Sequence, residues 1–133
     1  MTVVKADIRL EGSRGSIEGE LLVDTGASIT VIDLEVAERL GIIHTGRMLT
    51  LITSSGHRVE GELAVVRRLI IDGEGLPYGH ILTLKIPMEV KEMLRSRGLD
   101  SWGIIGLTTI ELLNLTPDVA TGRLKRAESF MLI

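Results

Sequence analysis

Apolar and polar positions alternate along much of the chain, and this alternation is typical of half-buried β-strands. Residues 3–10 alternate, and residues 17–24 form a predicted hairpin partner across the turn at 11–16. The same pattern predicts further strands at 28–32, 48–53, 58–71, 78–86, 102–106, 123–125 and 129–133. Gly-containing turns separate these segments, at 54–57, 72–75 and 118–122. Such a succession of short strands predicts a mostly β fold, closed or nearly closed into a small barrel.

Two or three short helices interrupt the strands. Asp33 can cap the first helix, which Gly41 ends. The second is predicted from Pro87 to about Arg97, and the third from Thr108 or Thr109 to about Leu113. The helix at 87–97 carries apolar residues at helical spacing: Ile86, Val90, Met93 and Leu94. Because such stripes normally face a core or an interface, we expect packing here rather than a cofactor groove.

The composition limits the classes of site that the chain can build. With 133 residues we expect a single domain, 1–133, that buries its own core. The absence of cysteine excludes disulfides and thiolate metal sites, and His44, His57 and His80 have no ligand-like spacing. No metal and no cofactor are therefore expected.

Charge and hydropathy limit the expected partners. The net charge of −3 and the three aromatic residues give no footprint for nucleic acid. No apolar stretch is long enough for a membrane span, and the first residues lack the pattern of a signal peptide, so we expect a cytoplasmic location. Asn114 is the sole asparagine and glutamine is absent, which favours a thermophilic source.

The strongest functional signal is a carboxylate set between two apolar runs. Leu21–Val23 lead into Asp24, and Ile29–Ile32 follow the turn after it. An ionised carboxylate in an apolar setting is costly unless it is paired, shared or hydrogen-bonded. The neighbouring residues can satisfy it, because Thr25 and Ser28 carry hydroxyls while Gly26 and Ala27 let backbone amides approach closely.

Four features, in this order, resemble the retropepsin-like aspartic proteases. They are Leu22-Val23-Asp24-Thr25-Gly26-Ala27-Ser28, the hairpin around Ser54-Ser55-Gly56-His57, the element Ile104-Ile105-Gly106, and a short helix ending near Leu112-Leu113 with a strand pair after it. The family includes retroviral proteases, the protease-like domain of eukaryotic DNA-damage-inducible proteins and single-domain prokaryotic relatives. The resemblance covers about residues 3–126 and implies the small barrel of that family.

The resemblance also implies roles for individual residues. Asp24 would be catalytic, and Thr25 would hydrogen-bond across a dimer and lock two active-site turns together. The Gly26 amide can donate to the Asp24 carboxylate, while Ala27 and Ser28 line the turn. For Asp24 the alternative is a buried aspartate that caps local amides.

A flap and a supporting element complete the implied site. The flap hairpin would span about 48–66, with Ser54, Ser55, Gly56 and His57 at its tip, where backbone amides can bind substrate carbonyls. Within 104–106, Ile105 and Gly106 would pack beside the active-site turn. We expect His57 to be a solvated loop residue rather than a catalytic one.

The chain departs from the family pattern at two places. Thr108 stands where many relatives carry Asp or Asn, so the polar contact made there must be lost or remade. The helix at 87–97 is longer than the compact retroviral pattern, which bears on access to the cleft or on the dimer surface.

Peptide hydrolysis without a metal needs an activated water and an acid for the leaving nitrogen, and two carboxylates that share a proton supply both. Only Asp24 fits that setting, since the other aspartates lie in a strand, at a cap or at turns: Asp7, Asp33, Asp72, Asp100 and Asp118. We therefore expect a homodimer, or a higher oligomer built from it, that cleaves peptides or unfolded proteins at acidic pH. Two alternatives are a non-catalytic peptide-binding or dimerisation module, and a protease that requires a partner.

Overall fold

The computed structural model describes residues 3–127. Its elements, in chain order, are β1 (Lys5–Glu11), β2 (Ser16–Val23), β3 (Val31–Asp33), α1 (Leu34–Leu40), β4 (Ile43–Ile52), β5 (Arg58–Ile71), β6 (Glu74–Leu84), α2 (Met88–Ser96), β7 (Gly103–Ile105), α3 (Leu107–Leu112), β8 (Leu115–Asp118) and β9 (Arg123–Arg126). The predicted strand at 129–133 lies outside the described residues.

Six strands close into a barrel. Their order is β1-β2-β7-β3-β6-β5, and β5 pairs back onto β1 through Ile8↔Ile71 and the three pairs that follow. Among the strands of residues 3–127, β4 lies outside the ring and pairs with β5 alone, while β8 and β9 form a separate two-stranded sheet. The predicted mostly β, barrel-like fold with three short helices is therefore confirmed.

The barrel is filled by the alternating apolar residues of its strands. In β1, Ala6, Ile8 and Leu10 are at most 2% exposed, whereas Asp7 and Arg9 between them point outward. Burying a side chain of leucine or isoleucine size contributes roughly 1.5–3 kcal/mol. The apolar positions of the period-two pattern thus point into the barrel. These buried apolar side chains are called the barrel core below.

Several predicted boundaries are wrong, and each error has a local cause. The strand at 28–32 shortens to β3, because the Ser28 carbonyl accepts the Thr108 amide at the start of α3 instead of pairing with a strand. β4 begins five residues before Met48, in an exposed stretch with a register shift that carries no apolar pattern. β6 begins at Glu74, because Asp72 and Gly73 alone make the turn, both with positive φ as a tight hairpin turn requires.

The Asp33 side chain does not cap α1. Asp33 is the N-cap residue, yet its carboxylate makes no cap bond and accepts the Ile86 amide at 3.2 Å instead. Gly41 does end the helix as predicted, with φ of +79°. The aspartate is therefore used to tie the start of α1 to the chain just before α2.

Within residues 3–127, no helix is long and apolar enough to cross a membrane.

Candidate active site

The active-site turn, residues 24–28, leaves the barrel at the end of β2. β7 lies between β2 and β3, parallel to the first (Val23↔Ile105) and antiparallel to the second (Val31↔Ile104). The chain must therefore cross over β7 to pass from β2 to β3. This crossing places the turn at the end of β7, where the connection between β7 and α3 supports it.

Asp24 is held by the backbone of its own turn and of β7. Its amide donates to the Ile105 carbonyl at 2.9 Å, and its backbone carbonyl accepts the Ala27 amide at 3.1 Å. Its Oδ1 accepts the Gly26 amide at 2.9 Å, which is the contact predicted for that glycine. A Cβ on residue 26 would lie 3.1 Å from Oδ1, so glycine leaves room for the carboxylate.

Asp24 is exposed in the single chain, so the alternative of a buried aspartate that caps local amides does not hold. The physical reason is the crossing itself, which lifts the turn out of the end of the barrel while the flanking Val23 and Val31 stay buried. Thr25, Gly26 and Ser28 are exposed as well, and Ala27 is half-buried. The turn thus presents a surface on which a second molecule can pack.

Two buried threonines fix the far side of the turn. The Thr30 hydroxyl, which is 0% exposed, accepts the Gly106 amide at 3.0 Å and lies 2.6 Å from the hydroxyl of Thr109. At Gly106 a Cβ would come within 2.3 Å of the Ile29 carbonyl carbon, so only glycine allows this approach. Sequence reasoning missed this contact. The hydroxyl of Thr30 inside the apolar run 29–32 was the one available signal, and Thr109 was predicted only as a possible helix cap.

α3 is capped by the active-site turn rather than by a threonine side chain. Its N-cap residue is Gly106, and the amides of Leu107 and Thr108 donate to the carbonyls of Ala27 and Ser28 at 2.8 and 3.0 Å. The prediction that Thr108 or Thr109 caps this helix is therefore wrong. The helix amides that normally need a cap are satisfied by the turn, and the threonine hydroxyls are used elsewhere.

The predicted support residue Ile105 and the residue Thr108, where the chain departs from the family pattern, contact the turn in different ways. Ile105 is fully buried in the barrel core and supports the turn through its carbonyl. The Thr108 hydroxyl donates to the Ser28 carbonyl, so threonine makes a polar contact of its own at this departure from the family pattern.

The flap hairpin is formed by the end of β4 and the start of β5, paired from Met48↔Glu62 to Ile52↔Arg58. Gly56, with φ of +86°, turns the chain at the tip and donates its amide to the Thr53 carbonyl at 2.9 Å. The Ser55 hydroxyl lies 3.0 Å from the Thr53 hydroxyl and 2.9 Å from the Nδ1 of His57. Ser54, Ser55, Gly56 and His57 are all exposed, so His57 is a surface residue.

The inner face of the flap packs on a second apolar group. We call this group the flap-floor cluster and define it as four buried residues, Val31, Leu82, Leu84 and Ile86. Three half-buried side chains of the flap pack against it: Leu49, Leu51 and Val59. Ile29, which follows the active-site turn directly, packs there too. One apolar surface therefore joins the flap to the turn that carries Asp24.

At the root of the flap, Glu62 fastens the irregular part of β4. Its carboxylate contacts the Nδ1 of His44 and accepts the Gly46 amide at 3.1 Å. The hydrogen bond from His44 holds the pKa of Glu62 below its usual range, and the bond from Gly46 adds to this effect. The register shift in β4 lies between His44 and Met48, so this carboxylate stabilises the point where the ladder is broken.

Across residues 3–127, no group of three or more His, Asp or Glu side chains could hold a metal ion.

One of two comparisons with known proteins places the chain in a family. No match was found among curated proteins. The aspartyl protease family profile matches residues 6–109, a span that contains the active-site turn, the flap and the β7–α3 connection. Because this span is well over half of the chain, the protein belongs to the aspartyl protease family, within the retropepsin-like clan.

Proposed function

We propose that the protein is a homodimeric aspartic endopeptidase, in which one Asp24 from each subunit activates water for the hydrolysis of peptide bonds. The carrying observation is the exposed Asp24 carboxylate, held by the Gly26 amide on a turn that β7 and α3 fix rigidly. A fixed carboxylate on an exposed surface is what a second copy needs in order to bring its own carboxylate close. Family membership supports the reaction class.

The need for a second copy follows from the other aspartates, each of which has another contact. Asp7 and Asp72 pair with Arg123, Asp33 with Lys91, Asp100 with the Glu20 amide, and Asp118 with the Ala120 amide. None of them is placed to share a proton with Asp24. C2 symmetry is the commonest way to bring two identical groups together, so a homodimer completes the site with no further residue type.

The chemistry then uses the proton that the two carboxylates share, because two like charges held so close are not both ionised. The ionised carboxylate takes a proton from water as the water oxygen bonds to the peptide carbonyl carbon. The neutral carboxylic acid gives its proton to the carbonyl oxygen. The carboxyl that took the proton from water then gives it to the nitrogen, while a hydroxyl of the tetrahedral diol returns a proton to the other carboxylate. The C–N bond breaks, and the starting protonation is restored.

The substrate class follows from the apolar surface beside the turn. The flap-floor cluster and the flap's inner face offer apolar side chains, and the backbone amides of Ser54 and Ser55 at the tip can bind carbonyls of an extended peptide. We therefore propose peptides or unfolded proteins as substrates, with apolar residues flanking the cleaved bond.

The deciding experiment compares Asp24→Asn with Asp118→Asn, a matched change at a carboxylate remote from the turn. Denatured casein is incubated with each protein between pH 3 and pH 8, and sedimentation velocity measures the assembly. We expect Asp24→Asn to lower the cleavage rate by about 10³-fold or more, since removal of a core catalytic group has effects of this size. The assembly should remain dimeric, and Asp118→Asn should cleave like the unchanged protein.

The pH profile adds a second criterion. The rate should fall as the pH rises towards neutral, because both carboxylates are then ionised and no acid remains. A rate that is flat from acid to alkaline pH, or full activity in Asp24→Asn, would contradict the mechanism. Intact casein after long incubation with the unchanged dimer would favour a non-catalytic peptide-binding module.

A further inference from the structure

α2 contributes to the same apolar surface as the flap and the active-site turn. Val90, in its first half, packs against the flap-floor cluster and is half-buried. Ile29 approaches that cluster from the active-site turn, and Leu51 approaches it from the flap. Three separate elements thus hold partly exposed apolar side chains around one floor, and such a setting suits an apolar ligand group.

A largely buried ion pair fixes the position of α2. The Nζ of Lys91 lies 3.4 Å from the Oδ1 of Asp33, and the two side chains are 23% and 9% exposed. The same oxygen accepts the Ile86 amide, just before Pro87 starts the helix. Lys91 directly follows Val90, so the ion pair attaches the turn of the helix that carries Val90.

The other end of α2 is also tied to the barrel. Leu94 is 0% exposed, and the Leu99 amide donates to its carbonyl at 3.0 Å. Asp100 then accepts the Glu20 amide of β2 at 2.8 Å. α2 is therefore joined to the barrel near both of its ends.

We propose that α2 forms a wall of the substrate cleft, that Val90 limits the size of the substrate's apolar side chain on the flap-floor cluster, and that Lys91–Asp33 is the positioning pair of this wall. The proposal rests on the proposed peptidase function and adds its specificity. The occupant is one apolar side chain of the peptide, beside the cleaved bond, since Ile29 links the cluster directly to the active-site turn.

The first experiment changes the wall alone. Val90→Ala and Val90→Leu are compared with Val119→Ala, a matched change at an exposed turn residue. The probes are fluorogenic octapeptides that are identical except for Ala, Val, Leu or Phe at one position beside the cleaved bond. For Val90→Ala we expect the kcat/KM ratio of Phe to Val peptides to rise about tenfold, since a change of one or two methyl groups in a pocket has effects of this size.

Val90→Leu should shift the same ratio in the opposite direction, and Val119→Ala should leave it unchanged. If the ratio stays within twofold of the unchanged protein in both Val90 variants, α2 does not line the cleft.

The second experiment tests the positioning pair. Lys91→Arg keeps a cation at Asp33, whereas Lys91→Met combined with Asp33→Asn removes both charges without leaving one of them buried alone. We expect the double variant to lose size selectivity through a change in KM for the preferred peptide with little change in kcat, and Lys91→Arg to retain it. A double variant with unchanged selectivity would refute the positioning role.

Binding of the same peptides to Asp24→Asn protein separates the two proposals. This measurement needs no catalysis, so it tests whether α2 limits the size of the bound side chain even if the unchanged protein cleaves nothing and the peptidase proposal fails. Size-selective binding that Val90→Ala shifts would support the wall in either case. Binding without size selectivity would overturn it.

Discussion

At the scale of single residues, Thr30 links the active-site turn to the start of α3. Its buried hydroxyl accepts the Gly106 amide and pairs with Thr109, whose side chain is also buried. An apolar side chain of the same shape fills the same space without these bonds. The Gly106 amide and the Thr109 hydroxyl would then be buried with no partner, and each such group costs roughly 1–3 kcal/mol.

We therefore expect Thr30→Val to lower the free energy of unfolding by about 2–4 kcal/mol, as measured by urea denaturation. The matched control is Thr50→Val on the exposed face of β4, where a change within about 0.5 kcal/mol is expected. If Thr30→Val were as stable as the control, the buried link would contribute nothing.

Some of these contacts between residues could be predicted from the sequence, and others could not. The contact between the Gly26 amide and Asp24 could be predicted because it spans two residues of one turn. The contact between Thr30 and Thr109 joins positions 79 residues apart, and a single sequence contains no signal for such a partner. The predicted side-chain N-caps were wrong for the same reason, because residues distant in the sequence bond to the Asp33 carboxylate and to the hydroxyls of Thr108 and Thr109.

At the scale of elements, the flap tip depends on one glycine. Gly56 has φ of +86°, and no atom lies within 4 Å of the place where a Cβ would stand. A substitution there therefore changes backbone preference without any clash. The turn also carries a network of the Thr53 and Ser55 hydroxyls with His57, which depends on the same tip conformation.

For Gly56→Ala we expect a loss of global stability of only about 1 kcal/mol, with a larger fall in kcat/KM, because a strained tip presents its amides poorly to the substrate. Gly15→Ala is the control, since it also has open space around the Cβ but no positive φ. Peptide cleavage and thermal unfolding are measured on both. An unchanged kcat/KM in Gly56→Ala would mean that the tip conformation does not matter for cleavage.

The existence of the flap was predictable, whereas its root was not. The alternation of apolar and polar residues at 48–53 and the polar tip predict a hairpin from the sequence alone. The stretch from Ile43 to Arg47 is exposed throughout, so it has no apolar period, and its pairing with β5 relies on a register shift and on Glu62. α2 was predicted as a helix, but its contact with the flap-floor cluster depends on the folded chain.

At the scale of the whole molecule, acid weakens ion pairs of the fold, whereas the proposed mechanism requires acid for activity. A hydrogen bond from Lys5 lowers the pKa of Glu20, with Arg123 adding to it, and bonds from Arg9 and His44 do the same for Glu11 and Glu62. A carboxylate whose folded pKa is depressed stabilises the fold above its ordinary pKa, and this stability is lost as the pH falls through the folded value.

We expect the melting temperature to be highest near neutral pH and to fall progressively below about pH 4.5, the ordinary value for glutamate. Scanning calorimetry from pH 7 to pH 3 measures this. Glu20→Gln should flatten the acid limb, whereas Glu111→Gln, on the exposed side of α3, should not. A melting temperature that rises towards pH 3 would contradict the sign. If the melting temperature falls as expected, unfolding rather than the protonation of the two Asp24 carboxylates limits the activity at low pH.

The last prediction concerns the assembly, because the proposed site is divided between two copies. Mixing the unchanged protein with an equal amount of Asp24→Asn and letting the subunits exchange gives mixed dimers that hold one Asp24 each. With random pairing, about a quarter of all dimers keep both carboxylates, so the rate falls to about half that of the same amount of unchanged protein alone. A site that is complete within one subunit predicts no fall at all.

The exchange is followed by measuring casein cleavage at acidic pH until the rate is constant, with Asp118→Asn mixed in place of Asp24→Asn as the control. In that control every dimer holds two intact turns, so the rate should rise rather than fall. A rate that Asp24→Asn leaves untouched after full exchange would show that the two carboxylates are not shared. The exposed turn at the barrel end would then be a site without the partner carboxylate that the mechanism requires.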